Sequence, residues 1–523
     1  MSAVTHLAAP LAETLTFPSF QYRALAPVLL VLGAAALSVL VEGIVPRGAR
    51  RGVQLTLTAA ALLGALVLAA TSSASLQGLA ASGAVSIDGP ALFLQVTILV
   101  VSLVAMLVIA ERRVDPAGDA FAPRSSALVG SGEEQAQTKL GWSQSEIWPL
   151  FLFSVGGMLL FVAANDLLML FVALEVMSLP LYLLAGMARR RRLLSQEAAL
   201  KYFLLGSFAS AFLLYGSAML YGYAGSLEFG AIAEAFRDKP GQVGLQLLGV
   251  GLVSVGLLFK AAAVPFHMWT PDVYQGAPTP ISGFMASVVK VAAFGAMLRV
   301  MYVALGGAAW DWRPAFWVVA MLTMLVGVIF AVTSSDIKRV LAYSSIAHAG
   351  FLLLGVVAYS QEGLSATMFY LLAYGLTTVG TFAVVMLVRG PSGEAGHLSS
   401  WAGLGRTSPL LAGVFALFLL ALAGIPLTSG FTAKFGVFAA ALGAGAVVPV
   451  IVAVIASAIS AFFYLKVIVL MFFAKPGPDA PSVVVPSLLT STAIGVAVVA
   501  TVVLGVFPQV FLNLVNESTP FLR

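Results

Sequence analysis

The chain has 523 residues, of which 60% are hydrophobic and only 9% are charged. Soluble domains carry about 25% charged residues, so a chain of this composition cannot cover a water-facing surface of its own. The composition excludes a soluble enzyme, a nucleic-acid-binding protein and a disordered scaffold, and it predicts a protein embedded in a lipid bilayer. The net charge of +5 is too small for a phosphate-binding surface, so no nucleic-acid partner is expected.

Cysteine is absent from the sequence, and histidine occurs four times. Without cysteine the chain has no disulfide and cannot hold an iron–sulfur cluster or a metal through thiolates. We therefore expect no metal site and no bound cofactor in this chain.

Fourteen segments are apolar and long enough to cross a membrane as helices, which takes about 20 residues each. In chain order they are 24–44, 53–73, 90–110, 147–165, 167–187, 200–223, 244–265, 280–303, 314–332, 340–359, 366–389, 409–435, 447–474 and 485–512. Residues 1–20 lack a basic stretch followed by an apolar one, so no cleavable signal is expected there. The predicted fold is an all-α, multi-pass membrane protein.

Lysine and arginine are distributed unevenly between the loops predicted on the two sides of the membrane. The odd-numbered loops hold 16 of them, whereas the even-numbered loops hold four, namely Arg237, Lys239, Arg299 and Arg313. Because short loops rich in these residues stay in the cytoplasm, the odd-numbered loops are predicted to be cytoplasmic and both termini to lie outside. The longest loop, 111–146, is polar and rich in Gly and Ser, which predicts a solvated, flexible connection.

Several charged residues fall inside the apolar segments, where a central charge costs about 2.5–3.5 kcal/mol. They are Glu175, Lys201, Lys260, Lys290, Lys434 and Lys466. At this cost they are expected to face protein or a hydrated cavity, and such residues usually mark an ion path. The deeper lysines, 260, 290 and 434, favour a proton-carrying role. Lys201, one turn after Glu197, and Lys466 could equally be structural.

Glu175 is the only acid that the sequence places deep in a helix, so a partnership with one of the lysines is expected. Such a pair could exchange protons or simply hold helices together. His348, beside two serines, could be a hydrogen-bonded filler or a proton relay, and the lysine-rich interior favours the relay. His267 lies closer to a helix end, where it could shape a break or meet the outside water.

Two of the lysine-bearing helices also contain helix-breaking residues. Pro265 follows Lys260 by five residues, and Pro426 and Gly430 shortly precede Lys434. Proline removes a backbone donor and clashes with the preceding turn, so an unwound stretch is predicted in each helix. Interrupted helices at corresponding places of two halves indicate an ion site at a repeat interface.

On this basis the chain divides into four parts. Residues 1–146 form an N-terminal three-helix segment with its polar loop, and 475–523 form a C-terminal helix. Residues 147–303 and 304–474 are predicted to be two five-helix repeats of inverted orientation, each with a broken helix.

Residues 259–295 resemble the antiporter-like membrane subunits of respiratory complex I, the bacterial NADH:quinone oxidoreductase. Their sequence is FKAAAVPFHMWTPDVYQGAPTPISGFMASVVKVAAFG. Four other stretches are similar to the same family: LEVMSLPLYLLAG (174–186), DIKRVLAYSSIAHAGFLLLG (336–355), GIPLTSGFTAKF (424–435) and FFYLKV (462–467). The stretch TPDVYQGAP at 270–278 resembles the subunits called N more than their sisters L and M.

The resemblance implies that Glu175 and Lys260 form the charged pair of a first half-channel. Lys290 and His348 would continue a hydrated path along the membrane midplane, and Lys434 would end a second half-channel. Lys201 and Lys466 match basic positions of this subunit type.

The implied function is that of a proton-translocating subunit in the bacterial inner membrane, without a redox centre of its own. Flavin, iron–sulfur clusters and quinone would lie in partner subunits, both membrane and peripheral. A subunit of a cation/proton antiporter or of a membrane-bound hydrogenase stays open as an alternative. A membrane transferase should instead cluster its polar residues at a helix–loop boundary, and a passive scaffold leaves the lysines unexplained.

Overall fold

A computed structural model describes residues 21–72, 76–115, 118–122, 131–139, 144–238, 243–390, 393–476 and 481–522. The chain is predominantly helical, with five very short strands. The all-α, multi-pass prediction is therefore confirmed. The expectation that residues 1–20 carry no cleavable signal falls outside the described residues.

Within the described residues, twelve helical segments are long and apolar enough to cross a membrane. Ten are single helices: α1 (Tyr22–Ile44), α2 (Arg47–Ala70), α3 (Gly89–Ile109), α6 (Leu167–Ala185), α7 (Arg192–Ala224), α9 (Val243–Ala261), α14 (Ile337–Ala358), α15 (Gln361–Leu387), α19 (Val447–Phe473) and α20 (Leu488–Val506). The other two are the segment Gly306–Thr333, ending in α13 (Ala309–Thr333), and the segment Thr279–Ala304. Two further apolar helices are shorter, α5 (Ile147–Ala163) and α17 (Pro409–Ala423). The predicted count of fourteen spans stays a prediction.

The segment Thr279–Ala304 changes helix type along its length. It consists of α11 (Thr279–Phe284), a π-helical turn (Met285–Val289), α12 (Lys290–Arg299) and a second π-helical turn (Val300–Ala304). π-helical turns are rare and frequently occur at functional sites, and the first of these immediately precedes Lys290.

Both predicted helix breaks are present, and each is followed by a second half-helix that the sequence analysis did not anticipate. α9 ends at Ala261, Pro265 lies in the break, and α10 (Trp269–Gly276) follows. α17 ends at Ala423, Pro426 lies in the break, and α18 (Ser429–Gly443) follows. The predicted span 409–435 is therefore divided between two helices, and Gly430 lies in the first turn of the second.

The remaining elements are short. The helices are α4 (Gly132–Lys139), α8 (Phe229–Asp238), α16 (Leu404–Thr407), α21 (Pro508–Glu517) and two 3₁₀ turns, Gly306–Ala308 and Leu398–Trp401. β1 (Gly78–Ala80) pairs antiparallel with β2 (Val85–Ile87), with Leu79 opposite Ser86. β3 (Val388–Gly390) pairs antiparallel with β4 (Gly393–Glu394) and with β5 (Ser482–Val483).

Two regions of the chain share one local hydrogen-bonding pattern. An aspartate accepts backbone N–H bonds at the start of a helix, Asp166 for α6 and Asp336 for α14. Each aspartate also forms an antiparallel bridge with a residue that follows the next helix, Asp166 with Glu228 and Asp336 with His397. Equivalent backbone bonds flank the two bridges, from Leu167 N to Leu227 O, Phe229 N to Asn165 O, Ile337 N to Gly396 O and Leu398 N to Ser335 O.

Three membrane-spanning segments form the centre of the molecule. Thr279–Ala304 is buried along its whole most apolar window, and α14 and α15 are buried over almost all of theirs. α1, α2, α7, α19 and α20 are far less buried and expose large apolar side chains, as helices facing lipid or another subunit do. Polar side chains on the central helices are therefore shielded from lipid.

Arg299 corrects one statement of the sequence analysis. It is not a loop residue but lies in α12, is fully buried, and pairs with Asp88 at 2.6 Å. Asp88 is 1% exposed and caps α3 through Ala91 N, so a buried acid also lies at a helix start. Neither was recognised because both lie near segment ends, where hydropathy does not separate a buried charge from a solvated one.

The loop 111–146 departs from the prediction around residues 115–121, whereas the described side chains of 132–139 are exposed as predicted. Phe121 is fully buried and forms an antiparallel bridge with Ala188. Asp115 and Asp119, both buried, pair with Arg190 at 2.7 Å and with Arg189 at 2.8 Å. The segment around these residues is thus packed on the connection between α6 and α7 rather than solvated.

Candidate functional site

The charged residues that the sequence analysis found in the apolar segments, together with His348, differ in how deeply the structure buries them. Lys260, Lys290, His348 and Lys434 are each at most 4% exposed. Lys290 and His348 lie on the central helices α12 and α14, and Lys260 and Lys434 lie on α9 and α18. Glu175, on α6, is half-buried. Lys201 and Lys466 lie on the exposed surface, away from this interior group.

Lys260 occupies the last turn of α9, just before the helix break. Its Nζ donates to Ser178 Oγ at 2.8 Å and to Tyr202 OH at 3.1 Å. The ammonium also lies 5.2 Å from the centroid of the Tyr202 ring, a cation–π distance. Hydroxyl dipoles and an aromatic face thus replace the water that a buried ammonium loses.

Glu175 does not make the direct contact with Lys260 that the resemblance implies. No ion pair within 4.0 Å joins these two described residues, and Ser178, one turn further along α6, takes the lysine instead. Glu175 Oε1 is buried without a hydrogen-bond partner. The carboxylate still lies within electrostatic reach of Lys260.

Lys290 begins α12 directly after the π-helical turn. Its Nζ donates to the carbonyl oxygen of Ser345 at 2.5 Å and lies 5.7 Å from the centroid of the Tyr374 ring. Ser345 precedes His348 by one helical turn on α14. The lysine therefore touches the same stretch of α14 that carries the histidine.

His348 has a tyrosine hydroxyl at each ring nitrogen. Its Nδ1 lies 2.7 Å from Tyr370 OH, and its Nε2 lies 3.4 Å from Tyr464 OH. Tyr464 OH in turn forms a short hydrogen bond with Ser344 Oγ. Hydroxyls both donate and accept, so this arrangement allows either neutral tautomer of the imidazole.

Lys434 lies in α18, after the second helix break. Its Nζ donates to the carbonyl oxygen of Ala423, the last residue of α17, at 2.8 Å and to Ser457 Oγ at 3.1 Å. It also lies 4.8 Å from the centroid of the Phe351 ring. The break leaves carbonyl groups of α17 without intrahelical partners, and the lysine satisfies one of them.

Gly424 makes room for this lysine. It has a φ of +86°, and a Cβ there would lie 2.9 Å from Lys434 Cδ. Both its backbone conformation and the close approach of the lysine require glycine.

Aromatic rings connect these environments into one line. The Tyr374 ring contacts Lys290 and lies 4.9 Å, centroid to centroid, from the imidazole of His348. The Phe351 ring contacts Lys434 and lies 5.8 Å from the same imidazole. Lys290, His348 and Lys434 are therefore neighbours through shared rings. The link from Lys260 is longer and begins with Trp269, which stacks on Tyr202 at 4.7 Å.

Sequence reasoning missed the hydroxyl-bearing residues of this site. On α15 they form one stripe, spaced by four, three and four residues: Tyr370, Tyr374, Thr377 and Thr381. All four are buried. This spacing places them on one helix face, so a search for polar periodicity within the apolar segment 366–389 would have found them. Ser178, Tyr202 and Tyr464 give no comparable signal, because their roles depend on contacts between distant helices.

The other predicted residues lie outside the line. Lys201 pairs with Glu197 at 2.6 Å and Asp272 at 2.7 Å, and its side chain is 42% exposed. Lys466 is exposed on α19. His267 is buried in the break between α9 and α10.

A second charged cluster lies where several loops meet. Glu394 accepts from Thr279 Oγ1 at 2.6 Å and lies 3.6 Å from Lys338 and 3.8 Å from Arg389. Burial raises the pKa of the Glu394 carboxyl, but Lys338, Thr279 and Arg389 outweigh burial and bring the pKa below its ordinary value. The cluster holds β3 and β4 against the start of α11 and α14.

Within the described ranges, no group of three or more His, Asp or Glu side chains is arranged to hold a metal ion. The site geometry is that of a lysine–hydroxyl–histidine line rather than of a metal centre.

The sequence was compared with protein-family models. The model described as NADH:quinone oxidoreductase/Mrp antiporter, TM, matches residues 164–460, more than half of the chain and all of the interior lysines. The chain belongs to this family.

Members of the family with curated descriptions are similar over nearly the whole chain. NADH-quinone oxidoreductase subunit N 3 of Streptomyces griseus is 57% identical, over 98% of this chain and 96% of the relative. NADH-quinone oxidoreductase subunit N of Rhodococcus opacus is 57% identical, over 98% of both. A chain of respiratory complex I from Thermus thermophilus, solved with bound aureothin, is 34% identical, with a TM-score of 0.74 over 93% of this chain and 98% of that one. The resemblance to subunits of type N is thus confirmed.

Proposed function

We propose that the chain is a proton-translocating membrane subunit of an NADH:quinone oxidoreductase. The observation that carries the proposal is the buried line of Lys290, His348 and Lys434, joined by shared rings and hydroxyls, with Lys260 and Glu175 at its other end. Its relatives are subunits of NADH-quinone oxidoreductase, and a solved neighbour is a chain of respiratory complex I. The partners would be the other membrane and peripheral subunits of that complex.

In this function the lysines would bind and release protons, and His348 with its tyrosines would pass them between Lys290 and Lys434. Lifting a proton against about 150–200 mV costs about 3.5–4.6 kcal/mol. That energy corresponds to a pKa change of about three units in one buried group, within the range that burial and a moving charge produce. Glu175, half-buried and not fixed by an ion pair to Lys260, is the group whose movement would change the charge near the first lysine.

The electrons would pass through partner subunits, where flavin, iron–sulfur clusters and quinone would lie. The absence of cysteine from the sequence supports a chain without a redox centre of its own. The chain would lie in the bacterial inner membrane with its Lys- and Arg-rich loops in the cytoplasm and both termini outside. Residues 147–303 and 304–474 would be two inverted five-helix units, supported by the matching bridges at Asp166 and Asp336.

The test replaces each buried lysine with two different residues in the complete complex, reconstituted in vesicles. Lys260→Ala and Lys434→Ala are expected to lower NADH-driven proton transfer at least about tenfold, because positioned proton-transfer groups contribute on the order of 10²-fold. Lys260→Arg and Lys434→Arg keep the charge but cannot release a proton, so they should be equally impaired. Full pumping in the alanine variants, or rescue by arginine, would contradict the proposal.

The second candidate is a subunit of a cation/proton antiporter, which the description of the matching family also includes. Mass spectrometry of the subunits that co-purify with a tagged chain, with NADH:quinone activity measured on the same sample, separates the two. Flavin- and iron–sulfur-bearing partners with activity support the oxidoreductase. Small membrane subunits alone, without redox activity, support the antiporter.

A further inference from the structure

A cavity of about 690 Å³ opens beside the exposed Lys466, away from the buried line. It lies between the end of α19, the end of α13 and the segment around His397. Two kinds of side chain line it. Lys466, His397, Ser335 and Ser399 contribute polar groups, and α19 contributes apolar side chains such as Val469 and Phe473.

Lys466 brings a positive charge that the described residues do not neutralise. It has no acidic side chain within 4.0 Å among the described residues, whereas Lys201, the other exposed lysine of the apolar segments, has two. Lys466 lies seven residues before the last residue of α19, or about 10 Å along the helix. A lysine in this position extends its ammonium towards the membrane–water boundary.

His397 adds a directed donor. The backbone N–H of Ser399 donates to its Nδ1 at 3.2 Å, and the Ser399 hydroxyl lies 2.7 Å from the same nitrogen. Because Nδ1 accepts a bond, the neutral ring carries its hydrogen on Nε2. The imidazole can therefore donate through Nε2.

Exposed apolar side chains precede Lys466 on the same face of α19, towards the bilayer centre. Phe462, one turn before Lys466, is 60% exposed, and Ile455 is 52% exposed. An ammonium, an N–H donor and hydroxyls in the cavity, with exposed apolar side chains on the bilayer side of them, match an anionic headgroup and its acyl chain. The neighbouring loops carry further basic residues, Lys475 among them, which favours negative over neutral headgroups.

We propose that this cavity binds one anionic phospholipid at the membrane face that carries most of the lysine and arginine. Its phosphate would accept from Lys466 and His397, and an acyl chain would lie along Phe462 and Ile455, towards the bilayer centre. This assigns Lys466 a lipid-binding role instead of a place in the proton path. The assignment is independent of whether the chain pumps protons.

The experiment measures lipid retention by the intact complex containing the full chain. The complex is purified in mild detergent, stripped of loosely bound lipid and titrated with phosphatidylglycerol or phosphatidylcholine, with native mass spectrometry of the subunit as the readout. We expect one tightly held phosphatidylglycerol and at least about tenfold weaker retention of phosphatidylcholine, since charge-assisted bonds to the phosphate and the net charge act together.

Variants test the residues that carry the proposal. Lys466→Gln should weaken phosphatidylglycerol binding about tenfold, because the neutral amide cannot make the charge-assisted bond to the phosphate. Lys466→Arg should retain it, and His397→Ala should weaken it about threefold. Arg112→Gln removes one exposed positive charge from another loop of the same predicted face and should have no effect.

Four results would overturn the proposal. They are equal retention of both lipids, unchanged binding in Lys466→Gln, displacement of the lipid by millimolar inorganic phosphate, and a cross-link from Lys466→Cys to a partner subunit in the intact complex. The third would assign the site to free phosphate, and the fourth would show that a protein covers it.

Discussion

The two regions that share the aspartate bridge differ at the positions where the site is built. Counted from Asp166 and Asp336, the residue nine positions later is Glu175 in the first region and Ser345 in the second. The residue twelve positions later is Ser178 in the first and His348 in the second. The same helical frame thus places a carboxylate and a hydroxyl near Lys260 in the first region. In the second region it places a carbonyl against Lys290 and an imidazole between two tyrosines.

The two broken helices differ in a related way. Lys260 precedes its break and is held by side-chain hydroxyls near the charge of Glu175. Lys434 follows its break and is held by a backbone carbonyl that the break exposes and by Ser457 Oγ. A buried ammonium can therefore be stabilised by hydroxyl and carbonyl dipoles, and at Lys260 the charge of a nearby carboxylate adds to them.

The largest expected effect is the loss of proton transfer in a His348 variant, compared with a variant of Ser178 at the corresponding position of the first region. His348→Gln keeps hydrogen-bonding groups but cannot exchange a proton, so proton transfer by the reconstituted complex should fall about tenfold or more. Ser178→Ala removes one of two hydroxyls on Lys260 and should lower transfer only about threefold to tenfold. Equal effects, or full transfer in His348→Gln, would end the distinction between a relay and a hydrogen-bonding side chain.

The carbonyl-based site of Lys434 can be disturbed through Gly424. Gly424→Ala places a methyl group 2.9 Å from Lys434 Cδ in a backbone with φ +86°, so proton transfer should fall about tenfold as the lysine is displaced. Gly445 has a similar φ of +83° and nothing within 4 Å of an added Cβ. Gly445→Ala is thus the control for backbone strain alone, and it should destabilise the protein by about 1 kcal/mol while proton transfer is kept. Equal loss in both would assign the effect to strain.

The influence of Glu175 on Lys260 can be isolated by a double-mutant cycle. Glu175→Gln and Lys260→Gln, alone and together, should show a coupling energy of about 0.5–3 kcal/mol in the free energy of unfolding. The same cycle between Glu175→Gln and Lys434→Gln should give a coupling near zero, because the two residues belong to separate environments. Coupling of similar size in both cycles would mean that the two regions act as one charge network.

The smallest expected effect is on thermal stability and compares the two aspartate bridges. The Glu394 cluster lies beside the second bridge, Asp336–His397, and not beside the first, Asp166–Glu228. Because the Glu394 pKa is lowered from its ordinary value of 4.5, its contribution to stability is present above that pH and is lost as the pH falls through the lower folded value. Glu394→Gln should reduce the thermal midpoint of the purified complex by a few degrees at pH 7, with the difference shrinking below pH 4.5. Glu228→Gln, at the exposed first bridge, should leave the midpoint unchanged. A pH-independent difference would mean that the charge of Glu394 is not what stabilises the cluster.

Local sequence patterns were sufficient for a large part of the fold and some of the site. The apolar segments predicted the helices because crossing a membrane demands length and low polarity, and Pro265 and Pro426 predicted the breaks because proline cannot continue a helix. Lys260, Lys290 and Lys434 were found because a lysine in an apolar helix is costly wherever it points.

Other features required the packed structure. Lys201 and Lys466 carry the same pattern as the interior lysines, yet both are exposed, since hydropathy averages over a segment and does not tell which face meets lipid. Arg299 and Asp88 are 211 residues apart in the chain, and only folding brings the arginine to the acid.

The sequence by itself determined that this protein spans a membrane, where its helices lie and where two of them break. It also identified the lysines that need polar partners, because lipid cannot solvate their charge. The tertiary structure alone decided the partners of the buried groups: Ser178 and Tyr202 for Lys260, the Ala423 carbonyl for Lys434, and two tyrosines for His348. The physical reason is range. The cost of burying a charge acts on each residue where it stands, whereas hydrogen bonds and ring contacts act over a few ångströms between helices that are far apart in the chain.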